Sequence, residues 1–110
     1  MSENIVELNS DNFETEVIAS DIPVIVDFAS ESCMPCKMLK PTLDELAEEL
    51  LDDVKIVTVD VIKNNDIALK YSVQAVPTLL FMKNGEVIKR LVGLNSKNEI
   101  KEIVDEILGE

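Results

Sequence analysis

The sequence contains no histidine and no tryptophan, and only two of its 110 residues are cysteine. Without histidine, catalysis by a Ser-His-Asp or Cys-His arrangement is excluded. Two cysteines also fall short of the four Cys or His ligands that a structural zinc site normally takes, so no metal centre is expected. Basic residues are scarce as well: ten Lys and Arg stand against 22 Asp and Glu, a net charge of -12. Nucleic acid needs clustered cations to displace its counterions, and an anionic membrane surface needs the same, so neither is an expected partner. The acids are dispersed along helical patterns, as at Glu45, Glu48, Glu49, Asp52 and Asp53, and read as a solvated face. No uninterrupted apolar run reaches the roughly eighteen residues of a membrane span. Residues 1–7 lack a basic stretch leading into an apolar one, so the expectation is a soluble, unprocessed, cytoplasmic protein.

What is present is a chain that is 46% apolar. At 110 residues it is long enough for one core and too short for two ordinary domains, so a single domain over 1–110 is expected. Apolar β-type runs alternate with helical patterns, the signature of an α/β fold. Ile5–Leu8 is a short strand candidate, followed by Asn9, Ser10 and Asp11 as possible helix caps and by Phe13, Val17 and Ile18 at helical spacing. Residues 23–29 are almost continuously apolar, as in a central strand covered on both faces. From Cys36 to about Leu51, Leu39, Leu43, Leu46, Ala47 and Leu50 recur at three and four, predicting a long amphipathic helix with a kink at Pro41. Residues 54–60 form a further strand, parallel to the previous one because a helix connects them.

A short helix is expected over residues 64–72. Residues 77–83 and Glu86–Val92 then flank Asn84 and Gly85, whose tolerance of positive φ suits a type I′ hairpin turn. Ser96 and Glu99 form a capping box ahead of a last helix with an apolar stripe of Ile100, Ile103, Val104, Ile107 and Leu108. The order is βαβαβαββα, which predicts a mixed five-stranded sheet flanked by four helices.

The chemistry concentrates at Cys33, Met34, Pro35 and Cys36. A bare CxxC says little, but this one follows a buried strand and opens a helix. Unpaired N–H groups and the positive end of the dipole at a helix start favour a thiolate, and Cys33 is placed to benefit. The thiolate is the attacking species: bringing a thiol from about 8.5 to about 7 raises its ionised fraction at neutral pH from a few per cent to roughly half. Two intervening residues return the second sulfur to bonding reach, and Pro35 stiffens the turn while allowing the helix to begin. Cys36, one turn inside, is then the buried resolving thiol. The competing reading is a pair of inert core cysteines.

Val26, Asp27 and Phe28, the run Cys33, Pro35, Cys36 and Lys37, then Pro41, the run Val76, Pro77 and Thr78, Asn84 with Gly85, and Val92 with Gly93 together resemble the thioredoxin family over nearly the whole chain. The resemblance implies a thioredoxin fold and a dithiol donor that reduces disulfides in protein substrates. Cys33 attacks, a mixed disulfide forms, and Cys36 releases the reduced substrate. It further implies a thioredoxin reductase as electron source, no bound cofactor, and a monomer. Ala29 and Ser32 stand where the family usually carries tryptophan, Met34 replaces the glycine between the cysteines, and Thr58 occupies a strand position that often holds lysine. These departures bear on the redox potential and the partner surface. Two other roles therefore stay open, an oxidant or isomerase of the same family and a non-redox binding scaffold.

Asp27 is a lone acid in an apolar strand, where burial without a partner raises its pKa, and a strand-end Asp pointing to water is the alternative. By resemblance it helps to move the proton of the buried cysteine, and Thr58 in place of lysine leaves it without an ion pair. Base rates favour a trans bond before Pro77, whereas the resemblance implies cis, with Val76 presenting its backbone to an extended substrate. Gly93 admits a partner backbone or simply ends a strand. Met34 either widens apolar substrate contact from the lip of the site or is a neutral replacement for glycine.

Overall fold

A computed structural model describes residues 4–109, so the reading of the first residues as leaderless falls partly on residues 1–3, outside the described residues. Five strands, β1 (Ile5–Leu8), β2 (Val24–Ala29), β3 (Lys55–Asp60), β4 (Thr78–Lys83) and β5 (Glu86–Val92), form one sheet in the order β1-β3-β2-β4-β5. The β1/β3 and β2/β3 pairs are parallel, while β2/β4 and β4/β5 are antiparallel. The almost unbroken apolar run therefore does become the central strand, and β2 is buried from Val24 to Phe28. Helices α1 (Met34–Glu49), α2 (Asn65–Lys70) and α3 (Lys97–Leu108) join a five-residue π-helical turn at Glu14–Ile18 to give the four helices expected.

Strand alternation sorts the core into two layers. Ile25 of β2, Ile56 of β3 and Phe81 of β4 pack with Leu39, Leu43 and Leu46 of α1 and Ile100, Val104 and Ile107 of α3. On the other face Val24, Val26 and Phe28 pack with Val57, Val59, Leu80, Met82, Val17 and Ile67. In register, Ile5, Ile56, Ile25 and Phe81 make an apolar row beneath α1. Two residues further along the parallel strands, the same face carries Glu7, Thr58 and Asp27 in register, with Leu79 beside Asp27 on β4. Side chains two apart on a strand share a face, so this row places a polar strip directly under the first turns of α1.

Local chemistry accounts for most element ends. Asn84 and Gly85 have φ of 54° and 79°, the left-handed pair that a type I′ turn requires, and the hairpin closes between Lys83 and Glu86. The capping box forms as expected: Ser96 Oγ accepts from the Glu99 amide while Glu99 Oε1 accepts from the Ser96 amide, each at 3.2 Å. The long helix begins at Met34 rather than Cys36, because Cys33 itself caps it, and it runs through Pro41 to Glu49 without a break. After β1 the expected amphipathic helix shrinks to the π-helical turn. Asn9 caps only the approach to it, its Oδ1 accepting from the amides of Asp11 and Asn12, while Ser10 bonds to Asp66 instead.

Candidate active site

The register brings four connections to one end of the sheet. Ala29 ends β2 and pairs with Asp60 at the end of β3; Thr78 at the start of β4 pairs with both Phe28 and Val92 at the end of β5. The segment carrying Cys33 and Cys36, the residues after Asp60, the Val76 and Pro77 pair, and Gly93 therefore all lie at the carboxyl end of β2, where open α/β sheets place their functional groups.

Cys33 and Cys36 are joined by a disulfide with their Cα atoms 5.3 Å apart. Cys33 is the N-cap of α1, and its Sγ accepts the Cys36 amide at 3.1 Å. One of the orphan donors of the helix start is thus aimed at the sulfur expected to carry negative charge, and the helix dipole acts in the same direction. The two cysteines are almost equally covered, at 9% and 7% exposure, so burial alone does not separate them as the sequence suggested. Their surroundings do. Cys33 lies between exposed Ser32 and Met34, the latter 64% exposed, whereas Cys36 borders a cleft of about 260 Å³ that runs back to Asp27.

That cleft is lined by Ala29, Ser30, Thr58 and Cys36 and by charged groups from every side: Glu7, Glu31, Lys37, Lys40 and Asp60. Asp27 is only 8% exposed, so it is not a strand-end acid pointing to water. Its Oδ1 is buried without a hydrogen-bond partner, and it forms no ion pair among the described residues. The Thr58 hydroxyl donates to the Asp27 main-chain oxygen at 3.2 Å. Burial pushes the carboxyl up from its ordinary 3.8 to about 7, opposed by the positive charge of Lys40 and by the Thr58 hydroxyl. The sequence anticipated the missing ion pair and the raised pKa. It missed Lys40, which reaches the cleft beside Asp27 only through the packing of α1 on the sheet.

The Val76–Pro77 bond is cis, and the Gly93 amide donates to the Pro77 oxygen at 2.8 Å, tying the start of β4 to the end of β5. Gly93 has φ of 88°, and a Cβ built there meets no atom within 4 Å. The backbone conformation therefore favours glycine, and the space outside it is open. Met34, Ile62, Val92 and Leu94 expose apolar side chains at this end of the sheet, and Ile62 and Leu94 carried no sequence signal. Among the described residues no group of His, Cys, Asp and Glu could hold a metal ion. No described helix is long and apolar enough to cross a membrane.

Known proteins match this chain closely. The family model described as Thioredoxin matches residues 4–106. Thioredoxin C-2 of Corynebacterium nephridii is 40% identical over 106 residues, which cover 96% of this chain and 98% of that relative. The thioredoxin of Haemophilus influenzae is 41% identical with the same two coverages, and that of Pseudomonas aeruginosa is 39% identical over 96% of this chain and 97% of its own. A helix-capping CxxC disulfide at the end of a central strand, a buried acid behind it and matches of this extent agree on one assignment: the chain belongs to the thioredoxin family and is a thiol-disulfide oxidoreductase.

Proposed function

We propose that the protein works as a general reductant of protein disulfides, as a single domain over residues 1–110 and as a monomer in a reducing cytoplasm, recharged by a thioredoxin reductase. One observation carries the division of labour: Cys33 Sγ receives the first-turn amide of α1, while Cys36 faces the cleft that holds Asp27. In the dithiol form the Cys33 thiolate attacks one sulfur of the substrate disulfide. A bond forms between Cys33 and that sulfur, the substrate S–S bond breaks, and the leaving thiolate takes up a proton. Cys36 then gives its proton to the Asp27 carboxylate, and its thiolate attacks Cys33 Sγ. The Cys33–Cys36 bond forms, the bond between Cys33 and the substrate sulfur breaks, and the departing substrate thiolate takes up the proton that Asp27 received. Two electrons pass from the dithiol to the substrate.

A carboxyl near neutrality suits this work, because it is present both as acceptor and as donor at the working pH. Docking falls to the rim. Met34 and Pro35 lie exposed between the two cysteines, Val76 offers its backbone beside Pro77, and Gly93 leaves room for an extended partner chain. The redox cycle moves electrons only through its own two sulfurs and needs no bound cofactor.

Stoichiometry tests this reading. Reduced protein mixed anaerobically with an excess of a disulfide-bonded protein, quenched in acid and alkylated, is expected to lose two thiols for each substrate disulfide opened. Loss of substrate disulfide without loss of the Cys33 and Cys36 thiols would contradict it.

A further inference from the structure

The row beneath α1 leaves Asp27 without a cation from the sheet: Glu7 and Thr58 continue it on β1 and β3, and Leu79 borders it on β4. The helix above supplies one. Lys40 follows Cys36 by four residues, so both side chains rise from the same face of α1. Lys40 borders the large cleft with Asp27, Cys36 and Thr58, and it also borders a second, smaller hollow lined by Ile5, Asp27, Leu43 and Thr58. Lysine can lie along apolar residues such as Ile5 and Leu43 while keeping its ammonium toward water and charge. Lys37, the other cation of the cleft, borders only the larger one.

We propose that Lys40 is a positioning residue for the resolving step, supplying from α1 the counter-charge of the Asp27 carboxylate as the proton leaves Cys36. The inference rests on the role given above to Asp27. In the transfer, negative charge moves from the carboxylate to the Cys36 sulfur, and a cation bordering both ends of that path keeps the acceptor ionised at neutral pH without binding it in a closed ion pair. The other charges on the cleft are Glu7 from β1, Glu31 from the loop before Cys33, Asp60 from β3 and Lys37 from α1, with Asp44 one turn beyond Lys40. Burial is what raises the affinity of Asp27 for a proton, and Lys40 is the charge that opposes it. It is exposed, which screens its effect and keeps it moderate.

A coloured mixed disulfide isolates the step. Cys33 is capped with 5-thio-2-nitrobenzoate, and Cys36 releases the thionitrobenzoate by attacking Cys33 Sγ, followed by stopped-flow absorbance from pH 5 to 9. Lys40→Met keeps an apolar arm and removes the charge. It is expected to move the Asp27-dependent limb of the rate profile upward by about 0.5–1 pH unit, the scale of one partly screened charge at close range. Lys40→Arg is expected to restore the parental profile, which a merely structural role of the side chain would not explain. Asp27→Asn is expected to remove that limb, and adding Lys40→Met to it is expected to shift nothing further. A limb removed by Asp27→Asn yet unmoved by Lys40→Met overturns the role of Lys40 alone. A limb that survives Asp27→Asn overturns the role of Asp27, and this inference falls with it.

Discussion

Replacing Cys36 by serine is expected to turn a catalyst into a trap: the protein still attacks its substrate but cannot release it. Cys33 remains the N-cap of α1, with the amide of residue 36 still aimed at its sulfur, because that donor belongs to the backbone and survives the substitution. The first displacement therefore proceeds, and the mixed disulfide accumulates as an equimolar covalent complex. Such a complex is visible on non-reducing denaturing electrophoresis and dissolves on adding thiol. Multiple turnover falls on the order of 10³-fold or more, since no second thiolate lies within reach of the Cys33 sulfur. Cys33→Ser is expected to give neither complex nor turnover. The reverse pattern, trapping by Cys33→Ser and none by Cys36→Ser, would show that the roles have been assigned the wrong way round.

Asp27→Asn is expected to make the oxidised protein more stable in alkaline solution, and the sign follows from the direction of its pKa. The folded carboxyl titrates at about 7 and its unfolded counterpart near 3.8, so between these values the native state holds a proton that the unfolded chain has lost. Stability then falls as pH rises through that window. Below about pH 4 both states are protonated and Asp27 contributes no slope. Above about pH 7 both are ionised, and the native state bears the full cost of a buried, unpaired carboxylate. The separation corresponds to about 4 kcal/mol.

Asparagine has nearly the same shape and no charge to bury. Urea unfolding at pH 4.5 and at pH 8 is expected to show the variant gaining several kcal/mol on its parent between the two conditions. The parental curve loses stability across the window while the variant's stays flatter. Parallel curves would mean that Asp27 ionises without cost in the folded protein. This stabilisation comes at the expense of the resolving step, which keeps a costly acid in the core for its chemistry.

Much of this arrangement was legible in the residues themselves. The unbroken apolar run ending in Ala29 marked the central strand, Asn84 with Gly85 marked a hairpin, and Ser96 with Glu99 marked a helix start, because each signal is set by local backbone chemistry. The site was legible for the same reason: a CxxC between a strand and a helix needs no tertiary information to be read as a redox pair. What remained hidden depends on how elements meet. The segment at Glu14–Ile18 carries apolar residues at helical spacing, and nothing in that spacing separates an α-helix from the π-helical turn it forms. Lys40 reads in sequence as one more surface lysine. Its relation to Asp27 exists only because α1 crosses the polar row of β1, β3 and β2. Ile62 and Leu94 are ordinary apolar residues until the register brings their loops to the end of the sheet that carries Cys33.

Ala29 and Ser32 in place of tryptophan, and Met34 in place of glycine, alter the surroundings of the disulfide without removing any group that the exchange uses. The equilibrium reduction potential of the Cys33–Cys36 pair tests the account most directly. It is read by titration in defined thiol buffers, acid quench, alkylation and mass analysis. A reductant of protein disulfides is expected to lie near the thioredoxin value of about -270 mV, low enough to give electrons to strained or exposed disulfides in a reducing compartment. A value at or above about -180 mV would place the pair with oxidants and isomerases and contradict the direction of electron flow assigned here.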